Sequence, residues 1–493
     1  MKITEIKLNN FKAFAGEHTI KTDSSIVCLV GENNTGKTTV FAAVDFLKNG
    51  VPKDRSIEYF INKSNAGSTV SVEVTVEGEL TKAIEAFSEK KYLPYLEKNG
   101  ASERLRLKRS SEKTTITQNG KEVNLDEKKL TVFNPATKQF ENPSGFDRAI
   151  GSLLETLFIW SDMQPEDVVD LGATKTLGRL LKKIFEGFQE SHDWKAFLEA
   201  HDKAFKSGDD ALMKRSEQTR KQIQSALGEF YGQASVKFDF QPPSPGDFIK
   251  SGETLVDDGV ETPAGEKGSG MQRALALAIT KVYADGLAAQ TQDGALTKPL
   301  FFFIDEPEIS LHPKAQEVLV GALREIAKRQ QVFLTTHSPL LLKHLDINSH
   351  AVLIFNRKNA AIEVTRSQEA NTFEFSPTLA EINYFAYGLA TIEFHNELYG
   401  YISEIIGCPS SKQLDDWLGQ QTGIPKTKQW VRIEKGVPLA PENVTLMTYI
   451  RHFIHHPENK SNAQFTEAEL IDSIEKMRKV IDSKAFKSLK NTP

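Results

Sequence analysis

The stretch Gly31-Glu-Asn-Asn-Thr-Gly-Lys-Thr-Thr39 contains a complete G-x-x-x-x-G-K-[ST] phosphate loop. It follows the apolar run of residues 25–30 and precedes a helix-like run at residues 40–47. Strand, glycine-rich loop and helix in this order are typical of a P-loop, in which backbone N–H groups and a helix N-terminus surround phosphates. A glycine-rich turn that binds nothing is the alternative interpretation.

The loop predicts which residues hold a nucleotide. Glycines allow the backbone to curl so that its N–H groups point inward. Lys37 is expected to reach the β- and γ-phosphates of ATP, and Thr38 is expected to ligate Mg²⁺. The residues predicted to bind ATP here are Gly31, Asn33, Asn34, Thr35, Gly36, Lys37, Thr38 and Thr39.

A second apolar run, Pro299-Leu-Phe-Phe-Phe-Ile-Asp-Glu-Pro307, ends in two carboxylates. A continuous apolar run is typical of a buried parallel strand, and the carboxyl edge of such a sheet is where ligands bind. Asp305 is expected to hold Mg²⁺, and Glu306 is expected to polarise the water that attacks the γ-phosphorus. A core strand that merely ends in acids is the alternative.

His337 follows a third apolar run, residues 331–336. An imidazole at this point is expected to hydrogen-bond the γ-phosphate and to sense its loss, as a switch histidine. Taken alone, a histidine at a strand end is usually a surface residue, so the prediction depends on the preceding acidic strand. Gln164, which precedes a turn, is the candidate for a glutamine close to the metal ion.

The segment around residue 270 opens with small residues and continues as an Ala/Leu-rich helix. It is similar to the signature motif of ABC ATPases, whose helix N-terminus and serine hydroxyl face a γ-phosphate. An ordinary capped, buried helix is the alternative. The residues predicted to act here, in the site of a second copy, are Ser269, Gly270, Gln272 and Arg273.

The spacing of these motifs predicts the architecture. The phosphate loop lies far upstream of Asp305, whereas the signature segment lies shortly before it. This order resembles the ABC/SMC-type P-loop ATPase head, which is an α/β fold. With Asn33 at its third position, the loop itself resembles the G-x-N-x-x-G-K variant of the RecF/SMC branch. In that family the signature of one subunit completes the site of another. The resemblance therefore implies a homodimer with two ATP molecules at its interface.

Alternating apolar and polar residues predict an antiparallel β-subdomain. Residues 2–14 are expected to form an edge strand, and residues 105–122 are expected to turn near residues 118–120. Several basic side chains would lie together there, and a solvated basic edge is preferred to a DNA contact. These side chains are Arg104, Arg106, Lys108, Arg109 and Lys113.

Beyond about residue 370 the sequence is rich in helix-forming and aromatic residues. Tyr384, Phe385, Phe394 and Tyr399 are most simply a small helical core, and the same aromatic rings are candidate anchors for a partner protein. The predicted segments are an N-terminal ATPase lobe at 1–165, a helical insertion at 166–245, a C-terminal ATPase lobe at 246–370 and a mainly helical C-terminal domain at 371–493.

Arg451 and His456 fit the R-[polar]-x₃-H pattern of HEPN ribonucleases, in which such a pair supplies acid/base groups. The alternative is a polar helix end that is stopped by Pro457.

The composition narrows the class of protein. With 61 basic and 66 acidic residues, a nucleic-acid partner would have to contact a local patch. The only cysteines are Cys28 and Cys408, so no disulfide framework is expected. No apolar stretch reaches the roughly 20 residues that span a bilayer. We therefore expect a cytoplasmic protein without a membrane partner.

Nearly the whole chain resembles the PtuA ATPases of bacterial Septu anti-phage systems and their retron-associated relatives. The points of resemblance are the phosphate loop, residues 304–313, residues 336–339, residues 394–399 and residues 454–459. The resemblance implies an ATPase that binds ATP and Mg²⁺, assembles with a separate HNH nuclease of the PtuB type, and controls it during infection.

Two other functions are also compatible with the sequence. The chain could itself be a nuclease through Arg451 and His456, or a DNA-repair ATPase like RecF. The ATPase motifs are also shared by OLD-type defence proteins, and an OLD nuclease carries a TOPRIM domain with Glu and Asp-x-Asp metal ligands. That pattern is not found after residue 340.

Overall fold

The computed structural model describes residues 1–100, 102–118, 120–161, 177, 188, 191–244, 247, 252–272, 274–276, 278–279, 282, 299–358, 361–369, 372–408 and 410–490. These residues form two compact units. The first comprises Met1–Ser161, Asp293–Glu308 and Pro313–Pro493, and the second comprises Asp162–Gln292 and Ile309–His312.

The strands of the described residues are, in chain order, β1 (Lys2–Asn9), β2 (Glu17–Lys21), β3 (Ile26–Gly31), β4 (Ser71–Gly78), β5 (Glu97–Asn99), β6 (Ser102–Ser110), β7 (Thr114–Gln118), β8 (Lys121–Leu125), β9 (Thr131–Asn134), β10 (Gln139–Glu141), β11 (Glu155–Ile159), β12 (Leu255–Asp257), β13 (Glu261–Pro263), β14 (Leu300–Ile304), β15 (Gln331–Thr336), β16 (Ala351–Lys358), β17 (Ala361–Arg366), β18 (Lys428–Trp430), β19 (Ile433–Glu434), β20 (Val437–Pro438) and β21 (Glu442–Val444). The α-helices with defined bounds are α1 (Lys37–Asn49), α2 (Leu80–Phe87), α3 (Phe146–Leu153), α4 (His192–Asp202), α5 (Leu212–Arg215), α6 (Glu217–Phe230), α7 (Pro313–Ala327), α8 (Pro339–His344), α9 (Leu379–Tyr387), α10 (Ile392–Ile405), α11 (Ser411–Gly419), α12 (Leu446–His455), α13 (Glu467–Asp482) and α14 (Lys484–Lys490).

A six-stranded sheet carries the motifs, in the order β11-β14-β15-β3-β16-β17. Its first five strands run parallel, and β17 pairs antiparallel with β16. Every residue of β3, β14 and β15 is buried, because a central parallel strand is covered on both faces. The rings of Phe158, Phe303 and Phe333 stack across three adjacent strands at centroid distances of 4.7 and 4.6 Å. The apolar runs thus form the predicted buried strands.

An antiparallel sheet, in the order β10-β9-β6-β4-β1-β2, forms the predicted β-subdomain. The prediction that the first strand lies at an edge is wrong, because β1 pairs with both β2 and β4. The alternating pattern of β1 shows that one of its faces is buried. It does not show how many strands pair with β1. The predicted turn near residues 118–120 is confirmed, since β7 and β8 form an antiparallel pair on either side of it.

The basic residues of β6 do not form an edge either, since β6 lies between β4 and β9. Arg104 and Arg106 form ion pairs with carboxylates of neighbouring strands, at 3.3 and 2.9 Å. Arg109 points to the other face, is 4% exposed, and donates to the carbonyl oxygens of Leu47 and Glu127. Burial lowers the pKa of Arg109. Intramolecular partners therefore occupy much of this predicted basic patch.

A buried glutamine joins the two sheets. Gln331, the first residue of β15, is 2% exposed. Its side-chain oxygen accepts from the N–H of Ile3 at 2.7 Å, and its amide nitrogen lies 2.7 Å from the carbonyl oxygen of Thr22. The antiparallel sheet is thereby anchored to the strand that leads to His337.

The C-terminal residues form a separate, mainly helical core, as predicted. Phe394, Leu398 and Ile474 are fully buried in it, and two short antiparallel strand pairs, β18–β21 and β19–β20, are added to it. Phe394 is 0% and Tyr399 5% exposed, so the idea that these two rings anchor a partner is wrong. Helix α9 packs against β3 and β16 of the parallel sheet. The fold class predicted from the sequence is confirmed. Among the described residues, no helix is both long and apolar enough to cross a bilayer.

Candidate functional site

The two glycines of the phosphate loop are required for different reasons. Gly31 ends β3 opposite Phe355, and a Cβ added to it would lie 2.2 Å from the carbonyl oxygen of Phe355. Gly36 has φ 93° and stands directly before the first residue of α1. Only glycine tolerates the first contact, and a left-handed φ favours glycine at the second position. The loop can therefore begin next to β16 and turn abruptly into the helix.

Lys37 lies beneath the loop and is 4% exposed. Its Nζ donates to the carbonyl oxygens of Gly31 and Glu32, at 3.0 and 2.7 Å. Burial lowers the pKa of Lys37 to about 8, because desolvation disfavours the charged ammonium. The carboxylates of Glu306, Asp305 and Glu308 oppose that shift. The ammonium is thus held next to the positions at which the loop would place phosphates.

Asp305 lies at the centre of a hydrogen-bond network and is 1% exposed. Its Oδ1 accepts from the hydroxyls of Thr38, at 3.0 Å, and Thr335, at 2.6 Å. Its Oδ2 accepts from the hydroxyl of Ser161 at 2.6 Å. Carboxylate and hydroxyl oxygens are hard ligands of the kind that Mg²⁺ prefers, and Mg²⁺ usually takes its remaining ligands from phosphates and water. Thr38 and Asp305 therefore fit the predicted metal ion.

Glu306 and His337 face each other at the carboxyl ends of adjacent strands. His337 Nε2 lies 3.3 Å from Glu306 Oε1, and the two side chains are 28% and 25% exposed. Glu306 has φ 47°, and its N–H donates to the hydroxyl of Thr335 at 2.9 Å. Burial, followed by the charge of Lys37, lowers the pKa of His337. A partly exposed carboxylate next to a mainly neutral imidazole can orient and polarise water.

Lys37, Thr38, Glu306 and His337 line one cavity of about 220 Å³. The structure thus brings together residues that lie far apart in the sequence. The full lining of this cavity is Ala13, Asn33, Asn34, Thr35, Gly36, Lys37, Thr38, Thr39, Glu306 and His337.

The chain matches the model of the AAA ATPase domain family over residues 1–342. The chain belongs to this family. It is 25% identical over 382 residues to the Old nuclease of Escherichia phage P2, which covers 73% of this chain and 60% of that protein. It is 32% identical over 100 residues to the DNA double-strand break repair Rad50 ATPase of Methanocaldococcus jannaschii, which covers 20% of this chain and 10% of that protein.

The chain therefore spans about 60% of the length of the Old nuclease and a smaller share of Rad50. Among solved structures, it is similar to an Smc head bound to the C-winged helix domain of ScpA, at 13% identity and a TM-score of 0.42. That match covers 74% of this chain and 98% of the other.

The signature segment of this AAA ATPase lies in the second unit. Ser269 and Gly270 begin a helix, and a Cβ added to Gly270 would lie 2.8 Å from the carbonyl oxygen of Ser310. Gln272 is 6% exposed, and its side-chain amide donates to the carbonyl oxygen of Gly265 at 2.6 Å. The other two predicted residues, Arg273 and Gln164, lie outside the described part of the chain. The roles of all four signature residues and of Gln164 stay predictions.

Sequence reasoning missed three residues that support the site. Ser161 and Thr335 both bond to Asp305, and Glu308 accepts from the N–H of His337 at 2.7 Å. A signal was present for the first two, because both are polar residues at or just beyond the carboxyl end of a buried strand of the same sheet. No comparable signal marks Glu308, whose partners depend on the tertiary structure.

Arg451 and His456, the predicted nuclease pair, have separate surroundings in the structure. Arg451 lies within α12. Burial lowers the pKa of His395 to about 3, with a smaller contribution in the same direction from the charge of Arg451 and an opposing one from the Asn396 side chain. His456 caps the end of α12 and is exposed, with Nδ1 3.3 Å from a carboxylate oxygen of Glu458. The described contacts do not join Arg451 to His456.

Proposed function

We propose that the chain is a cytoplasmic, ATP-hydrolysing sensor and scaffold that controls a partner HNH nuclease in an anti-phage complex. The arrangement around Asp305 is the observation that carries the ATPase part. A buried carboxylate there joins the phosphate-loop hydroxyl of Thr38 to the strand that leads to His337. Such a connection lets the nucleotide state affect the position of more than one strand.

Each residue has a defined part in hydrolysis. Lys37 and the N–H groups of the loop bind the phosphates, and Thr38 and Asp305 would hold Mg²⁺. A Mg²⁺ ion held there would supply positive charge to offset the charge that develops on the phosphate oxygens. Glu306 orients and polarises the attacking water, and His337 holds the Glu306 carboxylate in place through the contact at 3.3 Å.

The active form in this proposal is a homodimer or a higher oligomer. The helix that begins at Ser269 would present its N-terminus to the ATP bound by a second copy, where a helix N-terminus favours anionic phosphate. Two ATP molecules would then lie in the interface and make assembly depend on the nucleotide.

Partner docking is assigned to the C-terminal domain. With Phe394 and Tyr399 in its core, a different surface must provide the contact. The hairpin β19–β20 and the residue that follows it expose three apolar side chains close together in sequence, and such exposed apolar patches often mark binding sites. The exposed fractions are 39% for Ile433, 61% for Val437 and 42% for Leu439.

The ATP site is tested by calorimetry on the full chain. Lys37→Ala should weaken ATP binding by at least about 100-fold, because it removes a charge-assisted contact from a buried site. Lys48→Ala is the matched control, since Lys48 lies at the other end of α1 and bonds the hydroxyl of Thr156. Equal ATP affinity in the wild type and Lys37→Ala would refute the assignment.

The partner assignment is tested by co-purification with the HNH subunit. The double change Val437→Glu and Leu439→Glu should abolish co-purification and leave ATP binding intact. Leu489→Glu, at another exposed apolar position of the same domain, should have no effect on either measurement; Leu489 is 43% exposed. Retained co-purification by the double variant would place the docking surface elsewhere.

Similarity to the Old nuclease favours a second candidate, in which the chain itself cleaves nucleic acid. The purified chain should be incubated with RNA and DNA in the absence of any partner. Cleavage that is lost in both Arg451→Ala and His456→Ala, with unchanged melting temperature and assembly state, would favour this second function. The scaffold proposal predicts no cleavage by the chain alone.

A further inference from the structure

The peptide unit between Thr336 and His337 is held from both sides. Its N–H donates to Glu308 Oε1 at 2.7 Å, and its carbonyl oxygen accepts from the hydroxyl of Tyr387 at 3.2 Å. We call these two contacts the His337 clamp. Because the backbone has only two soft dihedrals per residue, fixing the peptide unit that precedes His337 restricts where its imidazole can lie.

The carboxylate of Glu308 forms hydrogen bonds at the carboxyl end of β15. Its Oε1 also accepts from the hydroxyl of Thr336 at 2.6 Å, and that hydroxyl accepts from the N–H of Ser338 at 2.9 Å. Its Oε2 is buried and has no hydrogen-bond partner among the described residues. Glu308 thus holds the N–H of His337 directly and the N–H of Ser338 through the hydroxyl of Thr336.

Tyr387 comes from a different part of the molecule. It is the last residue of α9, the first helix of the C-terminal domain, and burial raises the pKa of its hydroxyl. The hydroxyl therefore stays protonated and donates. The next residue, Gly388, has φ 66°, and a Cβ added to it would lie 3.8 Å from a carboxylate oxygen of Glu32 in the phosphate loop. The end of α9 thus lies against both the loop and the strand that carries His337.

We propose that Glu308 and Tyr387 are positioning residues that set the distance between His337 and Glu306, and that Tyr387 makes this distance depend on the C-terminal domain. The inference rests on the proposed ATPase function and extends it with a physical connection to the domain assigned to partner docking. Coupling of this kind is reciprocal, so a change in the nucleotide site also biases α9.

The first test compares two tyrosines of the same helix in the full chain. Tyr387→Phe removes the hydroxyl that bonds Thr336, whereas Tyr384→Phe removes a hydroxyl that lies 3.5 Å from Arg478. Tyr387→Phe should lower kcat for ATP hydrolysis about fivefold, the effect of losing one hydrogen bond, and leave the ATP Kd within about twofold. Tyr384→Phe should change neither quantity.

Glu308 variants test the other side of the clamp. Glu308→Gln keeps a side-chain oxygen that can accept from His337, so its kcat should lie between those of the wild type and Glu308→Ala. The ATP Kd should stay near the wild-type value in both variants. Equal losses of kcat and of ATP affinity, without rescue by glutamine, would indicate a general structural role and would overturn the positioning role of Glu308.

Hydrogen exchange tests the clamp without any reference to hydrolysis. The amide of His337 should exchange faster in Tyr387→Phe and Glu308→Ala than in the wild type or Tyr384→Phe. Adding ATP should change exchange in α9 of the wild type and much less in Tyr387→Phe.

The two proposals fail in different ways. A wild-type chain that does not hydrolyse ATP would refute the ATPase function, and the role of Glu308 and Tyr387 in hydrolysis would fall with it; exchange at His337 would still show whether the clamp exists. A hydrolysing wild type with unchanged kcat and unchanged His337 exchange in Tyr387→Phe would overturn the inference alone.

Discussion

The hydroxyl oxygen of Thr335 takes part in hydrogen bonds with two groups of the site. Thr335 is 0% exposed, and its Oγ1 donates to Asp305 Oδ1 at 2.6 Å and accepts from the N–H of Glu306 at 2.9 Å. Thr335→Val replaces this hydroxyl by a methyl group of similar volume. The change therefore removes two hydrogen bonds and adds no cavity.

The magnitude follows from those two contacts. A hydrogen bond to a charged group contributes about 1.5–3 kcal/mol, and a buried N–H that loses its partner costs about 1–3 kcal/mol. The two losses share one atom and are not additive, so we expect a local destabilisation of about 3 kcal/mol. Because Asp305 and Glu306 both become less well positioned, kcat for ATP hydrolysis should also fall at least about tenfold.

Native-state hydrogen exchange of β14 and β15 is a suitable assay, since it reports the free energy of the opening that exposes these buried strands. Thr156→Val is the matched control. Thr156 lies on neighbouring β11 and accepts one hydrogen bond, from the partly exposed ammonium of Lys48 at 3.1 Å, so its loss should cost about 1.5 kcal/mol, the low end of the range for a charged partner. Equal opening free energies in the two variants would refute the reasoning.

Three further predictions concern the nucleotide site. Because burial lowers the pKa of Lys37 to about 8, the free protein loses this charge above pH 8 and must take up a proton to bind ATP; calorimetry should show affinity falling about tenfold from pH 7 to pH 9, but no such trend in Lys37→Ala. Glu306→Gln should bind ATP but not hydrolyse it, and size-exclusion chromatography with ATP should show a trapped dimer; a monomeric elution volume would contradict this. Gly31→Ala should destabilise the head by about 3 kcal/mol or more in urea unfolding, because its Cβ would lie 2.2 Å from a backbone oxygen, whereas Gly321→Ala, with open space around it, should be neutral or stabilising.

Local features were predictable because the responsible residues are neighbours in the chain. The phosphate loop is continuous from Gly31 to Thr39, so its residue types already specify the strand, the turn and the start of α1. The continuous apolar runs that became β3, β14 and β15 predicted burial on both faces. The aromatic residues after residue 370 predicted a helical core in the same way, from their spacing.

The periodicity of apolar residues predicted less about which elements pack against one another. It indicated the buried face of β1 but not that strands lie on both of its sides, and it did not distinguish the buried Phe394 from an exposed anchor. A pattern of apolar residues shows that one face of an element is buried. Which element packs against that face depends on contacts between segments that are distant in the chain.

The residue types alone specify the chemistry: a phosphate loop, a buried strand followed by Asp305 and Glu306, and a strand that leads to His337. How these groups are held depends on the tertiary structure. The placement of β15 between β14 and β3 brings Thr335 to Asp305, and the packing of α9 on the sheet brings the hydroxyl of Tyr387 to Thr336. Hydrogen bonds between distant segments depend on strand order and register, and those are set by the burial of the whole core rather than by any local stretch of residues.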